Sequence, residues 1–354
     1  MKRVEAVRQK LQEENADALL VTSSVNRRYL TGFTGTAGAV LITAEAALFI
    51  TDFRYTEQAA AQAEGFTIVE HKVPLVEEAA AQLKKLGIST LAFEKEHVTF
   101  AQYEAYKQAF EAELIPVSGM VEDLRLKKDA GEIDIIQQAV DIADRAFTHI
   151  QSYIQPGVKE IDVATELEFF MRKQGAESSS FDIIVASGLR SAFPHGVASA
   201  KEIASGELVT LDFGAYFQGY CSDITRTVAV GEPSEKLRTI YETVQKAQEI
   251  GVQKIRPGMT GKEADALTRD YITEAGYGSY FGHSTGHGMG MEVHEGPALS
   301  HRSDKKLEPG HVVTVEPGIY VAGTGGTRIE DDLLITEDGC RILSSSTKEL
   351  LILE

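Results

Sequence analysis

The chain repeats part of itself. Ile154-Gln-Pro-Gly157 recurs 101 residues later as Ile255-Arg-Pro-Gly258, each between two helical patterns, and the helical pattern that follows ends at Gly175 in one copy and Gly276 in the other. At slightly longer offsets, as unequal loops require, Pro194-His195-Gly196 aligns with Val293-His294-Glu295, and residues 205–217 (SGELVTLDFGAYF) align with residues 309–321 (PGHVVTVEPGIYV). A unit present twice is expected to pack against its own copy about a pseudo-two-fold axis. The repeat also copies an awkward feature. Asp212 ends the apolar strand pattern LVTL and Asp223 follows beyond a connection containing Gly214 and Gly219, while Glu316 and Glu330 stand at the matching positions of the second copy. A hairpin would bring Asp212 and Asp223 face to face. Carboxylates close together in an apolar sheet repel one another and are hard to desolvate, so a bound cation is the simplest way to keep them ionised. Duplicating a fold gives no reason to duplicate its in-strand acids and its histidines; a shared metal site does.

The segment 281–294 (FGHSTGHGMGMEVH) adds His283, His287 and His294, spaced four and seven apart among glycines that permit close backbone approach. At most one of them needs to be a ligand. Four carboxylates and one imidazole form a mostly hard oxygen donor set, which suits Mn²⁺, Co²⁺ or Fe²⁺ better than a thiolate-rich structural zinc site does. Two ions are needed to balance that charge. Paired ions roughly 3.5–4 Å apart can share a bridging water, lower its pKa and polarise a scissile carbonyl, so the chemistry implied is hydrolysis.

Ahead of the repeat, strand patterns at 18–23, 38–43, 47–52, 67–73, 90–96 and 112–117 alternate with helical patterns at 55–63, 75–86 and 100–110. This predicts a small α/β domain with a mixed sheet. It has no ligand cluster and no Gly-rich phosphate loop, which suits a role in shaping a pocket or an oligomer contact; Arg54 is its one candidate functional side chain. A charge-dense segment at 121–136 marks the boundary, giving an N-terminal domain of residues 1–124 and a second domain of residues 125–354. With 35 basic against 53 acidic residues the net charge is −18, which argues against nucleic acid or an anionic membrane as partner. There is no apolar run of about 18 residues, and the opening residues form a polar amphipathic pattern, so a cytoplasmic location is expected. Cys221 and Cys340 stand alone and suggest no disulfide framework.

The order Asp212, Asp223, His287, Glu316, Glu330, set in the motifs DFG…D, GHGxGxxVHE, EPGIY and RIEDD, resembles the metal-dependent peptidases of the pita-bread fold, the group holding prolidase, aminopeptidase P and methionine aminopeptidase, and within it the Xaa-Pro peptidases. The resemblance covers essentially the whole chain. It implies an α/β (α+β) protein: a small creatinase/prolidase-type N-terminal α/β domain followed by a pita-bread catalytic domain with the internal pseudo-two-fold repeat. By the same resemblance all five residues are ligands of two divalent ions, Mn²⁺ first, with Co²⁺, Zn²⁺ or Fe²⁺ as alternatives, and Asp223 and Glu330 are among those spanning or chelating both sites. Glu316 is also expected to be the acid/base group that orients the bridging hydroxide attacking the carbonyl. His195 and His294 resemble the pair that hydrogen-bonds substrate and tetrahedral intermediate. His283 matches a further substrate-side histidine, and Arg328 a supporting arginine near the ligands.

Arg54 is the hypothesised positive group that closes the pocket on a substrate carboxylate. His71, His97, His149, His301 and His311 are expected to be surface groups or satisfied hydrogen-bond donors. The N-terminal domain separates the chain from methionine aminopeptidase. Its modest length and the fourteen residues from Glu316 to Glu330 resemble the compact prolidase type, which hydrolyses Xaa-Pro dipeptides. The alternatives are an aminopeptidase P acting on longer peptides, and a metal-free binding protein on the same fold. A homodimer acting on proline-containing peptides is implied by resemblance as well.

Overall fold

The computed structural model describes residues 2–354 and divides the chain into two compact units, one ending at Arg125 and one running Leu126–Glu354. The first holds a six-stranded sheet built from β1 (Ala18–Val21), β2 (Ala39–Thr43), β3 (Ala47–Thr51), β4 (Thr67–Glu70), β5 (Thr90–Glu94) and β6 (Glu113–Val117), in the order β4-β3-β2-β1-β5-β6. Strand β2 is antiparallel to both neighbours and the remaining pairs are parallel, so the sheet is mixed. Central strands β1 to β3 are buried along their whole length, which is why they read as unbroken apolar runs. Helices α1 (Lys2–Glu13), α2 (Ser24–Thr31), α3 (Thr56–Gln62), α4 (Leu75–Leu86) and α5 (Phe100–Ala109) accompany it, and the short α6 (Glu122–Leu126) follows.

Helix α2 has no counterpart in the sequence pattern. Its buried face carries Asn26 and Arg27, which hide the apolar stripe: Asn26 Nδ2 donates to Glu94 at 2.8 Å, and Arg27 donates to the Gly38 carbonyl at 2.9 Å and the Gly35 carbonyl at 3.0 Å. Ser23 caps its first turn and Gly32, at φ 74°, ends it.

The second unit is the repeat made solid. Its first copy runs through α7 (Ala130–Ile150), α8 (Glu160–Lys173), β7 (Ser178–Ser179), β8 (Ile184–Ser187), β9 (Glu207–Phe213), β10 (Ala215–Phe217), β11 (Tyr220–Cys221) and β12 (Ile224–Val230). The second runs through α9 (Glu235–Lys254), α10 (Gly261–Glu274), β13 (Gly286–Gly288), β14 (Glu295–Leu299), β15 (Val312–Val315), β16 (Gly318–Val321), β17 (Gly325–Arg328), β18 (Asp331–Ile335) and β19 (Cys340–Ile342). The principal sheets are β20-β12-β9-β8, with β20 (Ile352–Leu353) added from the end of the chain, and β14-β13-β15-β18-β19. The copies match down to the backbone: Gly157 and Gly258 take φ of 91° and 87°, and Gly206 and Gly310 take 86° and 91°, a left-handed conformation in which other residues are strained. Among the described residues no helix is long and apolar enough to cross a membrane.

Asp212 and Asp223 do not stand face to face. In the antiparallel β9–β12 ladder Thr225 is opposite Asp212, and Asp223 lies just ahead of the paired residues. Between them β10 and β11 form a tight hairpin of their own, turning at Gln218 (φ 48°) and Gly219 (φ 89°). Gly214 does not turn the chain. It allows close packing, since a Cβ there would sit 1.8 Å from the Ser222 carbonyl oxygen. Gly214→Ala should therefore destabilise the fold by about 1–3 kcal/mol, the range for overpacking, read as a lower urea midpoint; an unchanged midpoint would show that this approach does not hold the two acid-bearing segments together.

Candidate metal centre

Asp212 comes from the end of β9, Asp223 from just before β12, His287 from the middle of β13, Glu316 from just after β15, and Glu330 from the step between β17 and β18. All five line one cavity of about 550 Å³ together with His195, His283, His294 and Arg328. Asp223, His287 and Glu330 each offer a ligand atom within 4.8 Å of the others.

The imidazole of His287 is oriented for a ligand role. Its Nδ1 lies 3.1 Å from the Gly288 carbonyl, which can only accept, so Nδ1 carries the hydrogen and the Nε2 lone pair faces the acids, 3.6 Å from Asp223 Oδ2 and 3.5 Å from Glu316 Oε1. Burial, then the neighbouring His294, lowers its pKa to about 4, so at neutral pH it is uncharged and not a salt-bridge partner. The rings of His287 and His294 lie 4.4 Å apart between centroids.

The carboxylates act on one another. Burial, then repulsion from Glu330 and Asp212, holds Asp223 well above the ordinary aspartate range; burial, then Glu316 and Asp212, does the same to Glu330. Glu316 is pushed to about 8 by burial, with Arg328 opposing and Asp212 adding to the rise. Arg328 is the basic partner among them. Its guanidinium pairs with Asp212, lies 4.0 Å from Glu316 Oε2, and donates to Thr225 Oγ1 at 3.1 Å, the Pro194 carbonyl at 3.1 Å and the Tyr320 hydroxyl at 2.8 Å. One guanidinium cannot balance four carboxylates, and Asp212 Oδ1 is buried without a hydrogen-bond partner. An oxygen-rich, electron-rich cluster with an unsatisfied buried acceptor and one free imidazole lone pair fits divalent cations.

Tyr320 and Thr225 belong to the site although sequence reasoning gave them no role. Thr225 Oγ1 donates to Glu330 Oε2 at 2.7 Å. The Tyr320 hydroxyl accepts from Arg328, so its own hydrogen goes to His283 Nε2, 2.9 Å away, while His283 Nδ1 donates to the Ser284 carbonyl at 2.7 Å. Both nitrogens of His283 are thus engaged within the protein. A signal for Tyr320 was present, because the repeat alignment pairs it with Tyr216.

His311 is a buried ring whose Nδ1 accepts from the Glu308 N–H at 3.1 Å, an acceptor where the sequence suggested a donor or a surface group. Arg54 lies in the first unit, held on both sides by Asp52, with Nε–Oδ1 and Nη2–Oδ2 each at 2.8 Å.

Comparisons with known proteins place the chain in a family. Residues 134–337 match metallopeptidase family M24, and residues 3–127 match the creatinase/prolidase N-terminal domain. The chain is 42% identical to the Xaa-Pro dipeptidase of Pyrococcus horikoshii, over 96% of each chain. Among solved structures it is similar to an Xaa-Pro dipeptidase from Bacillus anthracis (61% identity, TM-score 0.99, covering 100% of this chain and 99% of that one). It is also similar to an X-Pro aminopeptidase from Thermotoga maritima (41%, TM-score 0.93, 99% of each).

The raised carboxyl pKa values fix the sign of a pH effect. In the chelated protein Glu316 holds its proton in the fold up to about 8 but loses it near 4.5 when unfolded, so its contribution to stability is complete below 4.5 and is lost as pH rises through about 8. A divalent cation must displace such protons. Calorimetry of Mn²⁺ binding in buffers of different ionisation enthalpy should show net proton release at neutral pH and tighter binding as pH rises; binding without proton release would contradict the raised values.

Proposed function

We propose, from the premise that the chain belongs to metallopeptidase family M24, that it is a dinuclear-metal exopeptidase hydrolysing the bond between an N-terminal residue and proline, chiefly in Xaa-Pro dipeptides. The observation that carries this reading is that Asp212, Asp223, Glu316 and Glu330 line one cavity with a neutral His287 whose lone pair faces Asp223 and Glu316, and that Asp212 Oδ1 is unsatisfied. These five would hold two divalent cations, Mn²⁺ foremost. When bound, the ions would lower the pKa of water and polarise the scissile carbonyl. Glu316 takes the proton from the attacking water and returns it to the leaving proline nitrogen. His195 and His294, both lining the cavity, donate to the substrate carbonyl and to the tetrahedral intermediate. His283, whose nitrogens are committed to Ser284 and Tyr320, acts by holding Tyr320 and through it Arg328.

The rest of the wall is largely apolar, with Phe181, Ile184, Pro194, Val197, Val293 and Ala298, which suits a proline ring. A tertiary amide brings no N–H, so the wall need not supply an acceptor for one. Residues 125–354 are the catalytic domain in this reading and residues 1–124 the accessory one. Arg54 is the group that closes on the carboxylate of a dipeptide, and a cytoplasmic homodimer is the assembly. The dipeptidases of Pyrococcus horikoshii and Bacillus anthracis favour the dipeptide reading. The Thermotoga maritima X-Pro aminopeptidase, almost as similar as the former, keeps aminopeptidase P as the second reading.

With Mn²⁺ supplied, an Xaa-Pro dipeptide should be cut faster than an Xaa-Pro-Yaa tripeptide, a chelator should stop both, and Asp223→Asn should lose both metal and hydrolysis. Faster tripeptide cleavage selects aminopeptidase P; no cleavage of either by metal-loaded protein removes the proline specificity. Arg54→Ala should lower the dipeptide-to-tripeptide rate ratio, and an unchanged ratio removes Arg54 from the pocket.

A further inference from the structure

The imidazole of His195 makes no hydrogen bond to another described residue, so its place in the cavity is set by the loop that carries it. Residues 188–198 leave β8 at Ser187 and return at Ser199. Both ends of that loop are tied to a single carboxylate that belongs to neither. Glu160, the first residue of α8, is fully buried. Its Oε1 accepts from the Ser187 N–H and Oγ, each at 2.8 Å. Its Oε2 accepts from the Ser199 N–H at 3.2 Å, from Ser199 Oγ at 2.6 Å, and from the Arg190 guanidinium within the loop. Arg190 in turn donates to the Val197 carbonyl at 2.8 Å, and the Ile161 N–H of α8 donates to the Ser199 carbonyl at 2.9 Å.

We infer that Glu160 is a positioning residue that fastens the neck of the His195 loop and thereby presents His195 to the substrate. A carboxylate is the group this position requires. It offers acceptors in two directions, sits at a helix N-terminus where negative charge is favoured, and meets only donors. A glutamine has one acceptor oxygen and an NH₂ group that would face further donors, so it can satisfy one end of the neck and not the other. The second copy of the repeat contains a comparable contact, made from a position of its second helix that does not align with Glu160. Asp265 of α10 accepts from the Thr285 N–H and Oγ1, each at 2.9 Å, and pairs with Arg269, which donates to the His283 carbonyl at 2.7 Å. Each copy thus uses a buried acid near the start of its second helix to fix a histidine-bearing segment, and in neither case does the acid touch a candidate metal ligand.

The inference rests on the reading that His195 contacts substrate, and the test separates the two. In the metal-loaded protein Glu160→Gln should lower kcat/KM for an Xaa-Pro dipeptide by about tenfold or more, the scale of a displaced binding group, with metal stoichiometry unchanged. Added to His195→Ala it should cost little more, because both changes remove the same contact. A lower melting temperature with unchanged kcat/KM per folded molecule, or full multiplication of the two losses, would overturn the inference in favour of a purely structural role. Should Glu160→Gln fail to fold, Ser199→Ala, which removes one hydroxyl donor, should give a smaller loss that is likewise absorbed by His195→Ala. If the unaltered protein cleaves no Xaa-Pro peptide, the functional reading fails while the clasp stays testable by hydrogen exchange. Amides 188–198 should exchange faster in Glu160→Gln with β9 unaffected, and unchanged exchange would sink the clasp.

Discussion

Four carboxylates crowded into one buried cavity repel one another, and the second unit is arranged around holding them there. Without cations the arrangement is unfavourable, as the raised pKa values of Asp223, Glu316 and Glu330 record. Opposing that repulsion, the backbone that bears the acids is tied down beside them. Arg226, fully buried, donates from Nε to the Thr347 carbonyl at 3.0 Å, from Nη1 to the Thr225 and Glu330 carbonyls, and from Nη2 to the Ser346 carbonyl at 2.8 Å and Asp331 Oδ1 at 2.7 Å. The strain of the site is electrostatic, and the rigidity that opposes it is hydrogen-bonded backbone.

The three consecutive acids Glu330-Asp331-Asp332 show how finely strand geometry partitions charge. Alternation along a strand sends Glu330 and Asp332 to one side and Asp331 to the other. Glu330 enters the cavity. Asp332, raised by burial and then by Glu330 even though it accepts the Asp223 N–H at 3.0 Å, braces the segment of its partner copy. For Asp331 burial is outweighed by Arg226 and Lys348, the latter 2.6 Å away, and it titrates below the usual aspartate value. Residues adjacent in sequence therefore serve as cluster member, structural ion pair and backbone anchor. Links from one copy to the other run through this segment: Glu330 N–H to the Thr225 carbonyl at 3.1 Å, Thr225 Oγ1 to Glu330, and Thr227 Oγ1 to the Arg328 carbonyl at 2.9 Å. The centre is assembled only when the two copies have docked.

What the sequence disclosed follows the same division. Asp212 was legible because a carboxylate closing an apolar run is an anomaly on its own strand, and the repeat then doubled the signal at Glu316. The buried strands of the first unit were legible as apolar runs, whereas α2 was not, because its inward face sets Asn26 and Arg27, satisfied by partners outside the helix, beside Tyr29 and Leu30. The register of Asp223 was hidden for a related reason: it depends on the approach of Gly214 to Ser222, and a glycine announces flexibility without saying what it must let pass. Tyr320 and Glu160 looked ordinary, a tyrosine in a strand and an acid at a helix start. Their roles exist only in the fold, where Arg328 and His283 reach the first and both ends of a loop return to the second.

Strands and the residues flanking them hold the candidate ligands, and loops hold the histidines expected to meet substrate, so the two functions rest on different supports. The clasp made by Glu160 bears on Ser187, Arg190 and Ser199, and the ligand-bearing strands are fixed by their ladders and by Arg226. Arg328 bridges the two systems, since one guanidinium pairs with Asp212 and also binds the Pro194 carbonyl, immediately before His195. A change in the charge on Asp212 is therefore felt at the backbone that carries His195 through a side chain bonded to both.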